Sequence, residues 1–135
     1  MLKAILLLES MKSVEVPESV EEFVSSRYEH HLGREQLAQV AKLTFPRSKL
    51  DYVVFELSRN LRARHYYAHI VAGDEMYVVF PGAHVKISRG NDDDVRRAQL
   101  MGSSYEVNPE NMSFRMMFDV DHPEMHAQND SWIDP

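Results

Sequence analysis

The chain contains no cysteine. That absence excludes a disulfide framework, thiolate metal ligation and a cysteine nucleophile together, and it suits a reducing, cytoplasmic setting. Glycines number five and are scattered, so no glycine-rich loop is built to cradle a phosphate. There is no G-x-S-x-G elbow, and Ser103-Ser104 follows a helical pattern rather than a strand. Long apolar runs are missing as well: residues 1–8 (MLKAILLL) soon meet Glu9, Lys12 and Glu15, well short of the ~20 residues that span a bilayer. With no small-residue cleavage site behind it, this start is expected to be an internal strand or a first helical turn packed in the core, and no membrane association is expected. Repeats, low-complexity tracts and Gly/Ser- or Pro-rich linkers are lacking, so residues 1–135 are expected to form a single domain.

What is present begins with charge. The net charge of −6 is unevenly distributed. Residues 34–64 carry seven basic and three acidic side chains, whereas residues 91–135 carry three and ten. An acidic total repels nucleic acid at long range, yet a cationic block gathered on one face can still contact phosphates. The plainer expectation is that Arg59, Arg62 and Arg64 pair with acidic residues from the tail.

Hydrophobic spacing divides the chain into a mainly helical half (1–63), a sheet half (64–121) and a polar tail (122–135). Val20, Phe23, Val24, Tyr28 and Leu32 recur at helical intervals after Pro17-Glu18 and before Gly33. A second helix is predicted over 34–45, where Leu37, Val40, Ala41 and Phe45 share a stripe before Pro46. Ser48 and Asp51 suggest a capping box for a third helix over 48–63, although Tyr52-Val53-Val54-Phe55 also suits a short strand.

From Arg64 the period becomes two. Segments 65–72 and 75–80 flank Gly73-Asp74, a pair suited to a type II′ hairpin, and the register then sets Ala72 opposite Glu75, Ile70 opposite Tyr77, His69 opposite Val78 and Tyr67 opposite Phe80. Val85 and Ile87 mark a third strand, 92–101 a helix with an acidic start, and 112–120 a last strand. The expected fold class is α+β, with N-terminal helices packed on a three- to four-stranded, mainly antiparallel sheet.

Function must come from faces. His65, Tyr67 and His69 fall on one side of their strand, joined by Val71, Met76, Val78 and Phe80. Such a mixed aromatic/His face has the composition of an interface. The expected function is therefore a non-enzymatic binding or assembly module for a protein partner or for self-association, with Arg62, Arg64, His65, Tyr67, His69, Phe80, Lys86 and Arg115 as binding residues. Two alternatives draw on nearby groups. A winged helix would place Arg47, Lys49, Arg59 and Arg62 near a nucleic-acid groove. A metal-independent ribonuclease, a phosphodiester hydrolase, would use His65 and His69 for proton transfer and cations for the developing charge. No cofactor or metal is expected: on a strand His65 and His69 are about 13 Å apart, too far to share an ion. The other pair at that spacing, His122 and His126, would need a short helix after Pro123.

Overall fold

The computed structural model describes residues 1–31 and 37–122. Six strands form one sheet in the order β2-β3-β1-β4-β5-β6, with every neighbouring pair antiparallel. The strands are β1 Leu2–Leu7, β2 Val24–His31, β3 Leu37–Phe45, β4 Ala68–Ala72, β5 Glu75–Phe80 and β6 Ala83–Ser88; the helices are α1 Leu50–Asn60 and α2 Asp92–Ser104. Short 3-10 turns complete the described chain, among them Glu18–Phe23 and Phe114–Phe118. The first element is thus a strand, and the expected smaller sheet behind N-terminal helices is not formed.

The predicted helix over 18–33 is a 3-10 turn followed by β2, and that over 34–45 is β3 from Leu37 onward; residues 32–36 lie outside the described part. β3 explains the error. Ala41, Leu43 and Phe45 point to one core while Ala38 and Val40 are buried on the other side, so the strand lacks the polar-apolar alternation that marks a half-exposed one. Its residual apolar spacing matched a helix by coincidence. The predicted last strand at 112–120 is also corrected: Phe114 and Met117, three apart, are both buried in a 3-10 turn, while Met116 is exposed. The tail after His122, including His126, lies outside the described residues.

Helix α1 lies on one face of the sheet. Its Leu50, Val53, Val54 and Leu57 pack with Leu2, Ala4, Leu6, Ala41, Leu43, Phe45, Ile70 and Val79 in one core. The strand alternative for 52–55 is not adopted, because the stripe continues over a full 11 residues. No side chain caps its start: Lys49 holds the N-cap position and the Ser48-Asp51 box is not formed. Helix α2 and the Phe114–Phe118 turn cover the other face of β5 and β6, where Val95, Ala98, Phe114 and Met117 pack on Met76, Val78, Phe80, Val85 and Ile87. Asn91 caps α2 by accepting from the Asp94 N–H at 3.1 Å, and three aspartates occupy its first turn, favourable to the helix dipole.

Both hairpins of the β4-β5-β6 meander close on two residues. Gly73 adopts φ 64 while Asp74 stays at negative φ, the pattern of a type II′ turn, and the predicted pairs Ala72–Glu75, Ile70–Tyr77 and His69–Val78 are observed; the strand begins only at Ala68, so the expected Tyr67–Phe80 pair and the strand over 65–67 are not formed. At the second hairpin Phe80 faces Ala83 across Pro81-Gly82, with Gly82 at φ 80, as a type II turn requires of its third residue. Type II turns twist against a hairpin, so this one needs support. Two side chains supply it from opposite faces. Ser58 of α1 donates to the Phe80 carbonyl at 2.8 Å and accepts from the Gly82 N–H at 2.7 Å, and Tyr105 donates to the Pro81 carbonyl at 2.8 Å while stacking on Phe80.

Replacing Ser58 with alanine removes both hydrogen bonds, the one to the Phe80 carbonyl at a partly buried position and the one from Gly82 in reach of water, and should cost about 0.5–1.5 kcal/mol, measured by urea unfolding with an unchanged m-value. A loss below a few tenths of a kcal/mol would show that the turn holds without the pin.

Candidate functional site

The residues expected to bind are dispersed over the fold. His65 precedes β4 in a left-handed conformation (φ 75); its N–H donates to Tyr105 O at 2.9 Å and its Nδ1 lies 3.0 Å from Glu106 O. Tyr67 is half-buried, with its ring edge-on to Phe114 and its hydroxyl donating to the Asn111 carbonyl. His69 is 5% exposed and sits in β4 between Ile5 of β1 and Val78 of β5, while Phe80 is fully buried. α2 and the Phe114–Phe118 turn therefore cover much of the mixed face. Lys86 projects to the other side of the sheet, the α1 side, by the register of β5 and β6. The structure does not gather these groups into one cleft.

The cations are also engaged. Arg64 pairs with Glu106 at 3.3 Å and Arg115 with Asp92 at 2.8 Å, both with acids from the acidic block, whereas Arg59 pairs locally with Glu56. Arg62 donates to the Met11 carbonyl at 3.3 Å. Arg47 reaches Glu75 at 3.7 Å. A helix-turn-helix needs two consecutive helices, and the strand at Leu37–Phe45 removes the first.

An open surface does exist, on the α1 side. A groove of about 450 Å³ runs between α1 and the β5-β6 hairpin, lined by Leu50, Val54, Phe55, Arg59, Tyr77 and His84 among others. Phe55 is 63% exposed, too much for a core residue, and Arg59 lies 5.8 Å over its ring. Tyr77 and His84, diagonal neighbours on this face of β5 and β6, have ring centroids 6.4 Å apart. Arg59 is aimed by Glu56: its Nε donates at 2.7 Å to a carboxylate oxygen that also accepts from Ser19 Oγ at 2.9 Å. The Arg59 hydrogen bond holds the Glu56 carboxyl below the usual range, against the opposing effect of burial and with help from Ser19. At the sheet end Glu75 lies 3.0 Å from Lys86, and this hydrogen bond raises the lysine pKa.

The groove borders an unpaired sheet edge. In a two-residue hairpin the closing pair is hydrogen-bonded and alternate residues turn their backbone groups outward. Ala83, Val85 and Ile87 thus bond to β5, and His84, Lys86 and Ser88 face away. Ser88 is satisfied, its N–H by Asp94 at 3.0 Å and its carbonyl by the Asn91 N–H at 3.0 Å. For the outward backbone groups of His84 and Lys86 no partner is found among the described residues.

Phe55, Tyr77 and His84 escaped sequence reasoning. Phe55 carried a signal: on a helix that buries Val53, Val54 and Leu57, an aromatic falling off the apolar stripe has to face solvent. No protein-family model, no curated protein and no solved structure matches the chain. Among the described residues no helix is long and apolar enough to cross a membrane, and no group of three or more His, Asp or Glu is disposed to hold a metal ion.

Because its folded pKa is lowered, Glu56 contributes stability above the ordinary glutamate value of about 4.3 and loses it as pH falls through the lower folded value. Glu56→Gln should accordingly flatten the loss of stability with acidification below about pH 4.3. Parallel pH profiles for the two proteins, followed by urea unfolding, would contradict this.

Proposed function

We propose that the chain is a non-enzymatic binding module that takes up an extended segment of a partner protein along β6, with the groove beside α1 receiving its side chains. The observation that carries this reading is the exposed Phe55, backed by Arg59, in a groove that it shares with His84, whose outward backbone groups begin the open edge that Lys86 continues. An added strand would satisfy those groups, and its alternate side chains would enter the groove. The groove has the mix that enriches interface cores, aromatic rings and an arginine on an apolar floor.

Lys86 sets a condition on the partner. A lysine on an open edge discourages indiscriminate strand pairing, and a cation directly opposite it is disfavoured. The fitting segment is therefore extended, places an apolar or aromatic residue against Phe55 and carries no cation across from Lys86. A second copy of this chain offers no acidic residue to Lys86, because an antiparallel pairing centred on Val85 sets it against the His84 of the other copy.

The test is selection from a displayed library of ten-residue peptides, followed by fluorescence polarisation with the enriched sequences. Phe55→Asp and His84→Pro should each weaken binding at least about tenfold, that is by ~1.4 kcal/mol, at an unchanged thermal midpoint. Proline is tolerated at His84 because the N–H it removes faces outward. Failure to enrich any sequence, or affinity indifferent to both substitutions, would overturn the proposal. Self-association lost in both variants by sedimentation would assign the edge to a second copy instead of a different partner.

A further inference from the structure

The face of the sheet turned away from the groove carries a second polar surface in its β2-β3-β1 half. Register places Lys3 of β1, Lys42 and Thr44 of β3, and Ser26, Tyr28 and His30 of β2 on this side. None of the strand positions sharing that face, which also include Ile5, Leu7, Ala38 and Val40, is acidic. Lys3 lies opposite Thr44 and Ile5 opposite Lys42, so the two lysines are diagonal neighbours. Their side chains are only 33% and 29% exposed.

Two like charges drawn partly out of water side by side need a counter-charge. The strands do not provide it. Asp121 does, with one carboxylate oxygen 2.6 Å from Lys3 Nζ and the other 3.2 Å from Lys42 Nζ. Burial works to raise the Asp121 pKa, but the Lys3 and Lys42 hydrogen bonds outweigh it and the carboxyl is lowered, so it is an anion at neutral pH. Asp121 follows the Phe114–Phe118 turn in a stretch without regular structure, and its backbone makes no hydrogen bond among the described residues. Its own contacts there are made through the carboxylate, and the preceding Val120 is held by its N–H donating to the Met116 carbonyl at 2.9 Å. Beside it the His122 ring stacks on His30 with centroids 3.9 Å apart and hydrogen-bonds with the Tyr28 hydroxyl.

We propose that this face is a binding site for a small ligand bearing a carboxylate or phosphate group, and that Asp121 occupies it as an internal competitor. A ligand anion in the position of the Asp121 carboxylate receives the same two ammonium groups. The exchange replaces one anion by another and leaves neither lysine unpaired, which is what makes displacement feasible in a partly buried site. Ser26, exposed and opposite Lys42 on this face, offers its hydroxyl to the remainder of the ligand. The built-in carboxylate competes at the high effective concentration of a tethered group, so the unmodified chain binds weakly until a ligand with contacts beyond the charge displaces it.

The probes are inorganic phosphate and, separately, acetate, titrated into the full chain at constant ionic strength held with chloride. Amide chemical shifts of Lys3 and Lys42 and the thermal midpoint are followed in wild type, Asp121→Asn and Asp121→Asn/Lys3→Gln/Lys42→Gln. Saturable shifts with at least one anion are expected in Asp121→Asn, at least about tenfold tighter than in wild type and absent from the triple variant. Phosphate binding without acetate binding would assign the site to phosphate groups, and binding of both to either chemistry. The thermal midpoint guards against misfolding, because the binding anion should raise it more in Asp121→Asn than in wild type. Equal affinity in wild type and Asp121→Asn, no saturation with either anion, or shifts that persist in the triple variant would overturn the proposal.

Discussion

The pairing of β1 on both its edges is the constraint on which the rest of the structure depends. The chain folds into two antiparallel groups, a β2-β3 hairpin and a β4-β5-β6 meander, which have no strand pairing with each other. Leu2–Leu7 joins them, bonded to β3 on one side and β4 on the other. Leu2, Ala4 and Leu6 point into the core under α1, and Ile5 is buried on the opposite side. Each buried leucine or isoleucine contributes about 1.5–3 kcal/mol, but the larger effect is topological. Every hydrogen bond of this strand to one neighbour is lost if that group detaches.

That junction arranges the two proposed surfaces. With the sheet continuous, α1 needs only part of one face, and the groove beside Phe55 is the margin where the helix ends its coverage of β5 and β6. On the reverse, α2 and the Phe114–Phe118 turn bury the β5-β6 surface, leaving the lysine pair of β1 and β3 to be met by Asp121. The Pro81-Gly82 turn belongs to both layers, held by Ser58 from the α1 side and Tyr105 from the other. The two proposed sites thus lie on opposite faces of one sheet, and neither relies on the histidines of the β4 segment.

The meander and α2 are legible in the sequence because their signals are local. Gly73-Asp74 dictates a two-residue turn, the turn dictates register, and that register alone sets Ile70 opposite Tyr77, as the strands pair. Asn91 and the aspartates after it announce α2 in the same way. β1, β2 and β3 are less legible, since their identity rests on pairing between distant segments: Leu2 meets Phe45 and Lys3 meets Val71. Strands buried on both faces lose alternation, and Val40-Ala41 with Phe45 then imitates a helical stripe. The site is obscured for a related reason. A polar-aromatic stretch such as 65–72 draws attention as a surface, but whether His69 is open or covered depends on how α2 and the turn after it pack, which no short-range pattern encodes.

If β1 unites the two groups into one cooperative unit, amide hydrogen exchange under native conditions should show it. The account predicts that the protected amides of β1, β3 and β5 exchange only through global unfolding, with one common opening free energy equal to that from urea denaturation. Opening of the β2-β3 hairpin and β1 together at a free energy well below that of β4-β5-β6 would contradict it, and with it the claim that both proposed sites stand on a single sheet.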